Sequence, residues 1–334
     1  MTLPMKTIFL PAARVIPALA AAGLLAVVLS LQAQPDRLVS AGRPADAKYA
    51  LEQPASAAAP GADLFADGKK RIIFRLDDAG LCHAVNAALE RILKEGTASA
   101  VGVMVNTPWL DEAVAILKRH PEVSVGLHTT LNCEWTPYRC GPVLPATEVP
   151  SLVDEWGKFF GTRKELIARQ PNPDEAEREF RAQVELALRK GLKLSYMDHH
   201  MSGPVTTPEL KARFEKVARD YGLAVPRWFG ERAGPVVYDV APEKKAGFLL
   251  AGLRRIDQPG LYLVVCHIGT DTPELAALRD LNPGAPAQMS RHRQAETDML
   301  CDPRLKPALK EGGFEVIGYD LLQRRFLNRM QAPP

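Results

Sequence analysis

From residue 71 onward, apolar stretches that are typical of buried strands alternate with stretches whose apolar residues have helical spacing. Residues 71–76 and 99–105 are strand candidates, and each is followed by a helical pattern, at 84–95 and 110–119. The alternation continues to a last strand candidate at 314–319. Strands that alternate with helices form a parallel sheet with helical crossovers. About seven such units in one domain predict an α/β fold, a (β/α) barrel that is either complete or incomplete.

The rest of the chain follows the same alternation. Further strand candidates lie at 123–131, 193–198, 224–229 and 261–266, and further helical patterns at 175–190, 208–221, 244–256 and 291–300. No GxGxxG fingerprint follows the first strand, which argues against a dinucleotide-binding fold.

Charge and composition exclude several classes of protein. The 42 Lys and Arg residues are almost balanced by 39 Asp and Glu, with a formal net charge of +3. A nucleic-acid-binding protein would show a strong excess of basic residues, so we expect no nucleic-acid partner. An apolar share of 46% excludes a wholly disordered chain.

The first 33 residues have the pattern of a secretory signal peptide. Lys6 and Arg14 precede an uncharged apolar run at 15–31, and the small residue Ala33 follows. Such a run only just spans a bilayer, so an uncleaved membrane anchor is the alternative, and contact with a membrane is expected only in that case. Residues 34–69 are rich in Ala and Pro and predict a flexible linker. In both cases the domain at 70–326 is exported, to the periplasm or the extracellular space.

Titratable residues stand at the ends of four strand candidates. Asp77 and Asp78 end the first, His128 the third, His199 and His200 the fourth, and His267 follows 261–266. Catalytic groups collect at the carboxyl ends of strands in barrels and open α/β sheets. Each residue also has a structural explanation, as a helix cap, a hydrogen-bonded core histidine or a solvated strand end.

One carboxylate and two imidazoles from three strands suit a divalent metal ion that keeps positions open for water and substrate. The neighbouring aspartate could act as a base toward metal-bound water, and a histidine on another strand could protonate a leaving group. This set of residues predicts metal-assisted hydrolysis of an amide or an ester.

Several motifs together carry a resemblance to a known family. They are Asp77-Asp78-Ala-Gly80, Val85-Asn86, the segment 103–108, Glu112-Ala113, His120-Pro121, the segment 125–129, Asp198-His-His200, Cys266-His267-x-Gly269 and Arg293-x-x-Glu296. In order and approximate spacing, the chain resembles the YdjC family of carbohydrate deacetylases, also called the ChbG/HpnK family, from about 71 to 322.

The resemblance implies a β/α-barrel hydrolase of the deacetylase type that removes acetyl groups from N-acetylated amino sugars or oligosaccharides. It implies Asp78, His128 and His200 as metal ligands, Asp77 as catalytic base and His267 as catalytic acid. The family favours magnesium, while two imidazole ligands also suit zinc. The alternatives are a metal-dependent amidase or esterase on a non-sugar substrate, and a sugar-binding barrel without catalysis.

An insertion at about 132–173 follows the third strand and is rich in aromatic residues. Long loops at the catalytic end commonly shape the binding site. Trp135 is the first candidate for stacking on a sugar ring, and Trp228 and Arg293 are further candidates for substrate binding. The alternative is that most of the aromatic residues form the small core of the insertion.

The chain has five cysteines. Cys133 and Cys140 are the expected pair if a disulfide forms, since a short loop with Pro137 could bring them together. For Cys266 and Cys301 we expect the role of small buried apolar residues.

Overall fold

The computed structural model describes residues 64–95 and 97–332. The signal peptide or anchor at 1–33 and most of the linker at 34–69 lie outside these residues. Within the described ranges, no helix combines the length and the apolar character that crossing a membrane requires.

Strands and helices alternate through most of the described chain. The strands are β1 Lys70–Ala79, β2 Ala100–Val103, β3 Ser124–Thr129, β4 Trp135–Thr136, β5 Leu194–His199, β6 Arg232–Ala233, β7 Gly260–His267, β8 Arg279–Asp280 and β9 Phe314–Val316. The α-helices are α1 His83–Glu95, α2 Leu110–Lys118, α3 Arg163–Ala168, α4 Pro173–Arg189, α5 Pro208–Asp220, α6 Lys245–Arg255, α7 Pro273–Ala277, α8 Met289–Leu300, α9 Leu305–Glu311 and α10 Tyr319–Phe326.

Seven strands form one parallel sheet, which confirms the predicted α/β class. Their order is β5-β3-β2-β1-β7-β6, and β9 pairs with the first residues of β1. In the register of the sheet, Asp77 lies opposite His267 and His128 lies opposite Asp198. The carboxyl ends of four strands therefore bring the predicted site residues to one edge.

The sheet curls around a polar interior. The strands β1 and β5 are separated by β2 and β3, a spacing of roughly 14 Å in a flat sheet. Nevertheless Arg75 Nη1 on β1 lies 3.1 Å from Asp198 Oδ2 on β5. Only a strongly curved sheet allows this contact, so the strands enclose a barrel-like interior.

The barrel is incomplete between its two edge strands. The ladders of the described residues do not join β5 to β6. Tyr319, the first residue of α10, lies between these edges: its ring is 4.7 Å from that of Tyr196 on β5, and its hydroxyl donates to Glu231 Oε1, beside β6, at 3.0 Å. A buried tyrosine thus bridges the two edges.

The predicted strand at 224–229 is reduced to a single pairing of Ala224 with Tyr196. Pro226 lacks an N–H group, and Arg227 has a φ of +72°, so the chain turns away from the sheet. The short strand β6 follows in its place.

The insertion after β3 has its own small structure. It contains β4, a 3-10 helix at Pro150–Leu152 and α3, and β4 pairs with β8 in an antiparallel sheet. Glu179 on α4 anchors it by accepting the N–H groups of Val143 and Leu144 at 2.9 and 3.0 Å. The pairing of β4 with β8 joins the insertion to the segment that follows β7.

Candidate metal centre

Three side chains from separate strands meet at the carboxyl edge of the sheet. Asp78 and His128 are the penultimate residues of β1 and β3, and His200 directly follows β5. Asp78 Oδ1 lies 3.3 Å from His128 Nε2 and 3.4 Å from His200 Nδ1, and the two nitrogens are 3.2 Å apart. The structure therefore brings together the three residues that were expected to bind a metal, and all three are buried.

The triangle of ligand atoms has the size that a shared cation requires. Atoms bound at about 2.1 Å lie about 3.0 Å apart in an octahedral site and about 3.4 Å apart in a tetrahedral site. Asp78 Oδ1 is buried and has no hydrogen-bond donor of ordinary geometry among the described residues. A buried carboxylate oxygen that faces two imidazole nitrogens in this way fits a divalent metal ion.

The backbone at the end of β1 turns Asp78 into the site. Asp78 has a φ of +70°, which residues other than glycine seldom adopt and which interrupts the alternation of side chains along the strand. Gly80 continues the turn with a φ of +94°, and its N–H donates to Asn86 Oδ1 at 2.9 Å. A Cβ at Gly80 would lie 3.0 Å from the carbonyl oxygen of Met104, so this close approach requires glycine.

A carboxylate orients each imidazole. His128 Nδ1 lies 2.9 Å from Asp198 Oδ1, and His200 Nε2 lies 2.7 Å from Glu134 Oε2. When these nitrogens donate to the carboxylates, the lone pairs of His128 Nε2 and His200 Nδ1 face Asp78 Oδ1. Carboxylate–histidine pairs of this kind fix the tautomer and the ring orientation of metal ligands.

The carboxylates around His128 and His200 favour a positive charge at this site. Burial disfavours a charged imidazole, yet Asp198 and Asp77 raise the pKa of His128 well above its usual value. Burial acts in the same way on His200, where Glu134 and Asp78 raise the pKa to about 10. A divalent cation can supply this charge instead, once protons leave the two rings.

Arg293, predicted to bind substrate, holds the metal-ligand candidate Asp78. Its Nη2 donates to Asp78 Oδ2 at 2.6 Å. Burial opposes ionisation of Asp78, but Arg293 holds the pKa of its carboxyl group well below the usual range. One carboxylate oxygen is therefore bound by the guanidinium, and the other faces the imidazoles.

Asp77, the predicted base, lies beside the triangle in the interior of the sheet. Arg75 donates to both of its oxygens at 2.7 Å. Burial raises the pKa of Asp77, although Arg75 opposes this effect. Asp77, His128 and Asp198 also offer ligand atoms within 4.8 Å of one another, and the guanidinium of Arg75 pairs with both of these carboxylates.

His267, the predicted acid, ends β7. Its backbone N–H donates to Glu296 Oε2 at 2.7 Å, and its ring packs edge to face against Tyr238 with 5.2 Å between centroids. Burial lowers the pKa of His267 well below its usual value. A neutral imidazole therefore stands on the strand next to the aspartates.

The two tryptophans predicted to bind substrate are both buried. The ring of Trp135 is fully buried and lies 5.0 Å from that of His200, so it presents no exposed face to a sugar. This position agrees with the alternative that the aromatic residues form the core of the insertion. Trp228 is 7% exposed, lies against the guanidinium of Arg219 and accepts the N–H of Gln331 through its carbonyl oxygen. These contacts connect it to α5 and the C-terminal segment.

Glu134 and Arg75 belong to the site but were not predicted from the sequence. Arg75 had a recognisable signal, because it is a charged residue inside the apolar strand 71–76. Glu134 had none, since it lies in an insertion without periodic pattern. Asp198 was part of a motif, but its contact with His128 emerged only from the structure.

Cys133 and Cys140, the expected pair, are free thiols in this structure. They are nevertheless neighbours, since the backbone N–H of Cys140 donates to Cys133 Sγ at 2.8 Å.

Comparison with known proteins gives a consistent result. A family model described as YdjC-like protein matches residues 71–311. A carbohydrate deacetylase from Brevibacillus brevis is 35% identical over 164 residues, which cover 48% of this chain and 61% of that protein. A carbohydrate deacetylase from Vibrio cholerae serotype O1 (El Tor Inaba N16961) is 32% identical over 264 residues, which cover 75% of this chain and 96% of that protein.

A solved structure supports the fold. It is a protein from Enterococcus faecalis V583 whose name refers to cellobiose-phosphate cleavage. It superimposes with a TM-score of 0.63 at 22% identity, over 76% of this chain and 99% of that one.

Proposed function

Because the chain belongs to the YdjC-like protein family, we propose that it is a metal-dependent carbohydrate deacetylase that removes acetyl groups from N-acetylated amino sugars or oligosaccharides. Its class is that of hydrolases that act on amide bonds. The named deacetylase relatives support the choice of a saccharide substrate.

The observation that carries the proposal is the triangle of Asp78 Oδ1, His128 Nε2 and His200 Nδ1, with sides of 3.2–3.4 Å. These residues would hold the metal, and the carboxylates of Asp198 and Glu134 would orient the two imidazoles. A bound divalent cation would lower the pKa of a water molecule and polarise the acetamide carbonyl group.

Asp77 is the proposed base. Its raised pKa suits a carboxylate that accepts a proton from the attacking water near neutral pH, and Arg75 holds both oxygens in one orientation. Arg75 is thus proposed to position the base, Asp77, beside the metal ligands.

His267 is the proposed acid. An imidazole with a low pKa gives up a proton readily once it has gained one, which suits delivery to the leaving amine nitrogen. The backbone bond to Glu296 and the packing of Tyr238 fix the ring at the end of β7.

A candidate space for part of a saccharide is lined by residues between Asp271 and Arg291, and none of the proposed metal ligands or catalytic residues lines it. A cavity of about 650 Å³ lies there, within the range of ligand sites. Its polar lining suits sugar hydroxyl groups and includes Asp271, Arg279, Asp280, Asn282, Gln288 and Ser290.

The identity of the metal is part of the proposal. The family resemblance favours magnesium, whereas two imidazoles also suit zinc. The test is acetate release from N-acetylglucosamine oligomers by protein stripped of metal and then supplied with either ion. Turnover that survives exhaustive chelation would contradict the metal role, and cleavage of aryl acetates without any release from acetylated sugars would contradict the saccharide substrate.

A further inference from the structure

Cys133 and Cys140 stand at the two ends of a short segment of the insertion, and both are buried. Cys133 is 0% exposed and Cys140 is 2% exposed. The backbone N–H of Cys140 donates to Cys133 Sγ at 2.8 Å, and a hydrogen bond between the two thiols lowers the pKa of Cys133. The sulfur of Cys133 therefore lies directly against the backbone of Cys140.

The backbone around the two cysteines is fixed on both sides. The N–H of Cys133 donates to the carbonyl oxygen of Phe160 at 2.9 Å, and the carbonyl oxygen of Cys140 accepts the N–H of Phe159 at 3.1 Å. The same short stretch of chain thus holds both cysteines, so their separation is set by the fold of the insertion. The contact of the Cys140 N–H with Cys133 Sγ places the two residues close enough for a disulfide to be tested.

The segment closed by the two cysteines carries groups that support the metal centre. Glu134 directly follows Cys133, and its carboxylate lies 2.7 Å from His200 Nε2. Its carbonyl oxygen accepts the N–H of Leu281 at 2.8 Å. Trp135 comes next, buried against the ring of His200. Glu134 therefore connects the position of Cys133 with a candidate metal ligand.

We propose that Cys133 and Cys140 are a site of disulfide formation, and that the crosslink fixes Glu134 against His200. The oxidant is a disulfide compound of the thiol-exchange class, for which oxidised glutathione serves as the probe. During folding or local opening of the insertion, which exposes Cys133, its thiolate attacks the glutathione disulfide, forming a mixed disulfide and releasing one glutathione thiolate. Cys140 then loses its proton and attacks the Cys133 sulfur, which releases the second glutathione. Two thiols are oxidised to one disulfide, and one glutathione disulfide is reduced to two glutathione molecules.

The crosslink is tested by peptide mapping of the full chain. The protein is equilibrated in glutathione redox buffers from reducing to oxidising, then denatured, alkylated and digested. We expect a linked Cys133–Cys140 peptide that is two hydrogens lighter than the reduced pair, with three of the five cysteines alkylated. Five alkylated cysteines under all oxidising buffers, or a link between other cysteines, would overturn the proposal.

The effect on the centre is tested by titrating Mn²⁺, which thiols bind poorly, into oxidised and reduced protein in a calorimeter. This half of the inference rests on the proposed function. We expect the oxidised form to bind Mn²⁺ more tightly by up to about tenfold, less than the effect of removing a supporting carboxylate. Equal Mn²⁺ affinities of the oxidised and reduced protein would overturn the proposed effect of the disulfide on the metal centre. Absence of Mn²⁺ binding in both forms would contradict the proposed metal site and with it the coupling, while the peptide map still decides the disulfide.

Two serine variants make the comparison specific. Cys140→Ser should abolish the difference in Mn²⁺ affinity between oxidising and reducing buffers. Cys301→Ser, at the end of α8, should retain this difference. If the difference persists in Cys140→Ser, another group is responsible and the proposal fails. The comparison within the unaltered chain does not depend on the folding of either variant.

Discussion

Arg75 and Asp198 form an ion pair of 3.1 Å across the interior of the curled sheet. Arg75 also binds both oxygens of Asp77, while Asp198 binds Nδ1 of His128. The proposed base and a proposed metal ligand are therefore connected through one buried network of hydrogen bonds and an ion pair.

Asp77→Asn separates catalysis from metal binding. The amide keeps the shape of the side chain but cannot accept a proton from water, so we expect hydrolysis to fall by about 10²–10⁴-fold. Metal affinity should stay within a few-fold of the parent protein, because Asp78, His128 and His200 are unchanged. Acetate release and calorimetric metal titration measure the two effects. Loss of metal with retained specific activity of the loaded fraction would mean that the two aspartates are assigned the wrong way round.

Glu134→Gln tests the support of His200. The carboxamide is a weaker acceptor for the Nε2 proton, so we expect metal affinity to fall by roughly 10–100-fold. Glu148→Gln, an exposed position of the same insertion, is the matched control and should have no effect. Equal metal affinities of both variants and the parent would show that Glu134 does not support a metal ligand.

Metal affinity should rise with pH. Carboxylates raise the pKa of His128 well above its usual value and that of His200 to about 10, so protons must leave both rings before a cation binds. Acid therefore competes with the metal, and affinity should increase by about tenfold per pH unit for each proton displaced. Titrations in buffers of different ionisation enthalpy count the released protons. An affinity that does not change between about pH 6 and about pH 9 would contradict this protonation of the site.

Arg75→Met tests the buried charge network. The variant leaves the carboxylates of Asp77 and Asp198 without their guanidinium, and we expect a loss of about 3–5 kcal/mol in the free energy of unfolding. Urea denaturation measures it. The control Arg304→Met removes the ion pair that the exposed side chain of Arg304 forms with Asp302 and should leave the midpoint nearly unchanged. Similar midpoints for both variants would mean that Arg75 does not stabilise the interior.

The sequence determined the class of fold and the edge of the sheet at which the site lies. Alternating strand and helix patterns dictate parallel strands, and the carboxyl ends of parallel strands lie at one edge. This is why the titratable residues at the ends of the strands, far apart in the chain, could be expected to meet. The choice of Asp78, His128 and His200 among them came from the family resemblance. Their roles as ligands and those of Asp77 and His267 stay predictions.

Only the tertiary structure decided which side chains contact and orient the three candidate metal ligands. Glu134 reaches His200 because the insertion folds back along β8, and Trp135 is buried because the same segment packs against the imidazole. Nothing periodic in the insertion encodes these contacts. Arg75 and Asp198 meet because the sheet curls, and curvature arises from the packing of the whole domain, which no local stretch of sequence specifies.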